Sequence, residues 1–123
     1  MDPDNDILER FSDAWNAHDI NELMACMTND CVYYAASGTP PFGSVYRGTE
    51  AVRASFVAIW QHYPDAQWLN ARHMREGNYG LSEWLFRGTP NGASEAVEVS
   101  GVDLFQLRAN CISIKNTFRK QPS

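Results

Sequence analysis

Apolar residues recur every three to four positions near the start of the chain. Ile7, Phe11, Ala14 and Trp15 predict an amphipathic helix from about Asp4 to Ala17. "HDINEL" then restarts a helix, with Asp19 placed to cap it and Glu22 three residues on, as in a capping box. Leu23, Met24 and Met27 supply its buried face, and "TND" stops it. "CVYYA" predicts a short strand, and "ASGTPPFGSVYRG" a loop by its Gly, Pro and Ser content. A third helix, "EAVRASFVAIWQHY", would be capped by Thr49 and ended by Pro64, with Val52, Phe56, Ile59, Trp60 and Tyr63 on its apolar side. The pattern then changes to alternation. Strands are predicted over roughly 67–75, 81–88, 95–108 and 111–119, separated by the turn signals "EGNYG", "TPNGAS" and "RAN". Helices grouped at one end and strands joined by short turns imply an α+β fold with an antiparallel meander.

One position breaks the alternation. In "VEVSGVDLFQL", Val97, Val99, Gly101, Phe105 and Leu107 share a face, and Asp103 falls among them. A structural reading lets this carboxylate bond to a neighbour or turn outward at a bulge marked by Gly101. A chemical reading keeps it inside. A carboxylate buried without a partner is pushed towards its protonated form and can then pass a proton or hydrogen bond to a ligand.

The next strand is ambiguous in phase. Asn116 is in step with Ile112, Ile114 and Phe118; Lys115, Thr117 and Arg119 are in the other step, and a slip of one residue would swap the sets. Taken inward, the Asn116 amide can orient a carbonyl or bond to Asp103. His73, in phase with Leu69 and Ala71, has a titration range suited to proton transfer, although a lone strand His is more often packed or interfacial. His18 and His62 read as surface residues. One of Tyr33 and Tyr34 should face inward. Trp84 and Phe86 share one strand face, with Glu83 on the other.

Composition narrows the choices. The chain has 123 residues, 44% hydrophobic and 20% charged, which suits one globular domain over 1–123. The net charge of −5 and scattered basic residues argue against nucleic acid and anionic membrane surfaces as partners. No apolar run is long enough to span a bilayer, and "MDPDNDILERF" lacks the pattern of a secretion signal, so a cytoplasmic location is expected. Cys26, Cys31 and Cys111 lack CxxC spacing and read as reduced thiols; no zinc motif, GxSxG, P-loop or GxGxxG is present.

The segments "RFSDAWNAHDINELMACMTNDCVYY", "YRGTEAVRASF", "SEWLFRGT" and "GVDLFQLRANCISIKNTFRK", in this order, resemble the SnoaL-like and ketosteroid-isomerase-like branch of the nuclear transport factor 2-like superfamily. The resemblance implies a cystatin-like α+β barrel: a cone-shaped, strongly curved, mostly antiparallel sheet wrapped around the N-terminal helices. It also implies an apolar pocket, a homodimer formed through the outer sheet face, and chemistry without metal or organic cofactor. Asp103 sits where ketosteroid isomerases keep the acid of their oxyanion hole and near the acid–base Asp of SnoaL-like cyclases. Three other positions depart from the family. Phe11 stands for the phenolic donor, Ala35 for the proton-shuttling carboxylate, and Gly101 for the Arg of limonene-epoxide-hydrolase-like enzymes. Steroid isomerisation and that epoxide hydrolysis therefore lose support.

The expectation that follows is a small-molecule pocket protein. It would be an acid–base enzyme of isomerase, cyclase or dehydratase type, acting on a small hydrophobic carbonyl or hydroxyl compound. Asp103, His73 and Asn116 are the candidate catalytic groups. Trp15, Tyr33, Tyr34, Phe56, Trp60, Trp84, Phe86, Phe105 and Phe118 are the candidate pocket wall. The alternative is a non-catalytic ligand-binding or protein-interaction module on the same fold.

Overall fold

The computed structural model describes residues 6–121, so the expected helix start at Asp4 lies outside the described residues. Three helices and six strands follow in the order α1 (Asp6–Ala17), α2 (Ile20–Ala25), β1 (Met27–Tyr34), β2 (Val45–Arg47), α3 (Thr49–His62), β3 (Gln67–Glu76), β4 (Tyr79–Gly88), β5 (Val97–Arg108) and β6 (Cys111–Arg119). The strands form one open, mixed sheet in the order β2-β1-β6-β5-β4-β3. All pairings are antiparallel except β1 with β6, which run parallel. The fold is α+β, as the residue pattern implies, but the sheet does not close into a barrel.

Local chemistry explains most element ends. The Asp19 side chain accepts from the Glu22 backbone N–H at 3.1 Å and caps α2. The capping box is not completed, because the Glu22 carboxylate takes up Arg10 instead, at 2.5 Å. Thr49 does not cap α3. Gly48, at φ +85°, occupies the cap position, and the Thr49 hydroxyl donates to the Asn29 carbonyl at 3.1 Å. The segment read as one loop contains the short strand β2, whose Tyr46 pairs with Tyr33.

Helices α1 and α3 cover the inner face of the sheet. Leu8, Phe11, Trp15, Val52 and Phe56 meet Phe86, Phe105, Leu107 and Ile112 across it. The Phe11 ring lies edge-on to Phe56 and to Phe105, with centroids 6.4 and 5.7 Å apart. Fully burying such a ring contributes about 2–3 kcal/mol. This core fills the end of the sheet near α1, and the opposite end is left open.

Two bulges decide which side chains point inward. In β6, Ile112 pairs with Leu107 but Ile114 pairs with Gln106, so Ser113 is an extra residue. Ile112 is inside; beyond the bulge Lys115 and Thr117 are inside, and Asn116 and Phe118 are outside. In β3, the register shifts between Leu69 and Arg72, with Asn70 at φ +56°. Trp68 and His73 therefore share the inner side, and Leu69 is not in phase with His73 as the plain alternation suggests.

Candidate functional site

Asp103 is inside and only 5% exposed. Strand β5 runs without a shift past this residue, so Gly101 marks no bulge. Its lack of a side chain serves packing: a Cβ there would lie 2.3 Å from the Trp84 ring. The indole is thereby free to lie across Gly101, and its Nε1–H donates to Asp103 Oδ2 at 3.0 Å.

The expectation of a lone carboxylate does not hold. Register places Ser82, Asp103 and Thr117 side by side across β4, β5 and β6. The Thr117 hydroxyl donates to Asp103 Oδ1 at 2.6 Å, and Lys115 Nζ donates to Thr117 Oγ1 at 2.6 Å. Lys115 Nζ is also 3.1 Å from Asp103 Oδ1, forming an ion pair whose side chains are 5% and 8% exposed. The relay runs from Lys115 through Thr117 to the Asp103 carboxylate, which also accepts from Trp84. The ammonium also faces three rings, at 4.6 Å from Tyr33, 5.3 Å from Trp15 and 5.7 Å from Phe56. A charged amine is costly to bury, and this one is compensated by a carboxylate, a hydroxyl and aromatic faces.

Lys115 and Thr117 form part of the wall of a cavity of about 280 Å³ in the open end of the fold. Trp15 from α1, Tyr33 from β1, Tyr46 from β2, Ile59 and Tyr63 from the α3 end, and Trp68, Trp84 and Phe86 from the sheet supply its apolar surface. His62, Ser37 and Arg119 also line it, and the Arg119 guanidinium lies 5.0 Å over the Phe86 ring. Asp103 does not line this cavity. It borders a separate void of about 10 Å³, shared with Ser82, Trp84 and Phe105.

The expected wall is therefore corrected in part. Trp15, Tyr33, Trp84 and Phe86 line the cavity. Phe56, Trp60 and Phe105 are core residues outside its lining. Tyr34 points the other way, against Phe42 at 5.9 Å, because it alternates with the inward Tyr33. Phe118 is 52% exposed on the outer face. Asn116 is outside as well, in a shallow surface hollow with Tyr34, Phe42 and Arg47; the Ser113 bulge reverses its phase. His73 is half-buried, and its Nδ1 is 2.7 Å from Ser82 Oγ. It lines a groove beside α1 with Glu9, Asp13 and Asn16, not the cavity, and burial lowers its pKa against the opposing pull of those two acids. Lys115 and Arg119, the charged groups at the cavity, were signalled only by their alternate phase with Asn116. Among the described residues, no cluster of His, Cys, Asp and Glu could hold a metal ion, and no helix is long and apolar enough to cross a membrane.

The fold defines a known class. The chain belongs to the SnoaL-like domain family, whose model matches residues 8–113. Solved structures share the architecture. A protein with a cystatin-like fold from Xanthomonas campestris superposes with a TM-score of 0.80 at 20% identity, covering 94% of this chain and 89% of that one. A candidate polyketide cyclase from Silicibacter sp. gives 0.80 at 21% identity, covering 94% and 88%. A protein with a ketosteroid isomerase-like fold from Catenulispora acidiphila, solved with trimethylamine, gives 0.80 at 18% identity, covering 96% and 86%. At such identities the likeness concerns the fold. No curated protein matches the chain significantly in sequence.

Proposed function

We propose that this protein is a cofactor-independent acid–base enzyme, of isomerase, cyclase or dehydratase type, acting on a small carbonyl or hydroxyl compound held in the 280 Å³ cavity. The observation that carries the reading is the buried Lys115–Thr117–Asp103 chain reaching the cavity wall. A SnoaL-like family membership and the cyclase and isomerase-fold neighbours support the same class of chemistry.

The roles follow from donor counting. An ammonium has three N–H donors. One of them is directed to Thr117, the charge is paired with Asp103, and a free N–H serves the substrate oxygen. As a C–H bond next to a carbonyl breaks, negative charge moves to that oxygen, and the fixed ammonium stabilises it. The proton passes to Thr117 Oγ1 as the Thr117 hydroxyl proton moves to Asp103. Return of the proton through the same relay to a different carbon of the conjugated enolate completes an isomerisation. The aromatic wall keeps water from the enolate and aligns a flat ring.

A general test needs no knowledge of the product. Proton NMR in D₂O follows exchange of the hydrogens beside the carbonyl in a panel of small cyclic ketones and keto acids. Exchange on a suitable member should exceed buffer by on the order of 10²-fold or more. Lys115→Met and Asp103→Asn should each return it towards the buffer rate while the fold persists by circular dichroism. A member that binds in the cavity and exchanges no faster than in buffer would sink the enzymatic reading.

The second reading is a ligand-binding module. It is favoured by one observation: among the described residues no carboxylate lines the cavity, and Ala35 does line it, at the position where the related isomerases carry theirs. Binding without exchange is the outcome that selects it.

A further inference from the structure

The charges at the cavity are one-sided. The chain as a whole is acidic, at net −5, yet the charged side chains lining the cavity are Lys115 and Arg119, both cations. Lys115 is balanced by Asp103 at 3.1 Å. Arg119 has no such balance: among the described residues, the carboxylates in ion pairs are Glu22, Glu83, Glu98, Asp30 and Asp103, and none is paired with Arg119. Its guanidinium rests on the Phe86 face at 5.0 Å, which holds the plane without using its N–H donors.

Guanidinium and ammonium groups only donate hydrogen bonds. The charged groups of this wall are thus donors, and they call for a ligand rich in acceptors. Lys115 and Arg119 are four residues apart on one face of β6, about 13 Å along the strand. The two cations therefore serve different parts of one molecule.

We infer that the cavity selects a small planar monoanion, a cyclic or aromatic carboxylate, whose carboxylate is bound by Arg119 while the opposite end of the molecule approaches Lys115. The inference rests on the cavity being the ligand site, as the proposed function holds, and adds the charge class of the ligand. Arg119 can present two parallel N–H groups to a carboxylate, a geometry an amide or a protonated amine cannot match.

Isothermal titration with three molecules of one shape tests it: trans-cinnamate, cinnamamide and cinnamylamine, of charge −1, 0 and +1. Cinnamate should bind about tenfold or more tightly than cinnamamide, and cinnamylamine should be the weakest. Arg119→Gln should bring cinnamate down to the level of cinnamamide and leave cinnamamide unchanged; Arg119→Lys should restore part of the preference. Far-UV circular dichroism and the thermal midpoint report whether each variant is folded. Cinnamamide binding as well as cinnamate, or an Arg119→Gln variant with an intact preference, overturns the anion selectivity and leaves the enzymatic reading standing. Failure of all three to bind at millimolar concentration overturns the cavity as a ligand site, and both readings with it.

Discussion

Lys115 carries more of the site than any other residue, and its burial has a stability consequence separate from catalysis. Removing one partner of a buried ion pair leaves the other charge uncompensated, which costs about 3–5 kcal/mol. Lys115→Met should therefore destabilise strongly, because it leaves the Asp103 carboxylate with only the Trp84 indole and the Thr117 hydroxyl. Adding Asp103→Asn should recover much of the loss, since the amide oxygen can still accept from Trp84 and no charge remains. Urea denaturation of the two single variants and the double variant checks this. A double variant no more stable than Lys115→Met alone would mean that the pair is not coupled in the folded protein. At this scale the sequence was informative about Asp103, whose inward phase follows from simple alternation with Val99 and Phe105. It was silent on the partner, because residue spacing along one strand does not reveal which side chain a neighbouring strand brings alongside.

Strand β6 shows where reading by alternation fails. Its hydrophobic residues, Ile112, Ile114 and Phe118, keep one phase along the sequence, yet only Ile112 faces the core. The single extra residue at Ser113 reverses everything beyond it and delivers Lys115, Thr117 and Arg119 inward. A serine in a strand carries no signal that it is a bulge, so the phase was not legible; the strand itself, from 111 to 119, was. Strand β3 repeats the lesson at Asn70, whose positive φ is the local cause of a shifted register. The helices were clearer, because the apolar stripe of α1 spans three turns and cannot be read in two phases. The bulge makes a sharp prediction. Ser113→Ala loses one solvent-exposed hydrogen bond from its hydroxyl to the Gln106 carbonyl at 3.1 Å, and should cost no more than about 1 kcal/mol. Deleting Ser113 would drive Asn116 and Phe118 inward and Lys115 outward, and should abolish cooperative unfolding. Thermal melts followed by near-UV circular dichroism distinguish the two. A deletion variant that still melts with a sharp tertiary transition would show that the strand can re-register without loss.

Over the whole molecule, the directions of the shifted titrations bound the pH range of stability. Burial lowers the His73 pKa below its ordinary 6.5, against the pull of Glu9 and Asp13. The unfolded chain then binds a proton more readily than the folded one. The His73 contribution is full above the unfolded value and is lost as pH falls through it towards the folded value. Asp30 and Asp65 act further down. Each is held below the ordinary carboxylate range, first by the Arg108 guanidinium for Asp30 and by the Thr89 backbone N–H for Asp65, so their contributions fade only as pH falls past that range. On the alkaline side, burial pushes the Cys26 thiol up from 9.0 to about 11. Ionisation is then easier in the unfolded chain, so this contribution is present below 9 and is lost as pH rises towards 11. Stability should accordingly be flat from about pH 7 to 9, with a shoulder below about 6.5 and a decline above 9. Urea midpoints across pH 4–11 trace the curve. His73→Gln should remove the shoulder below about 6.5 and leave the alkaline limb, and Cys26→Ala should shrink the alkaline limb to the part carried by Cys31, whose thiol burial also raises, and leave the shoulder. Because the two groups lie on separate elements, β3 and the end of α2, the two changes should add. A shoulder that survives His73→Gln would assign it to another group, and the burial of His73 against Ser82 would then not be felt by the folding equilibrium.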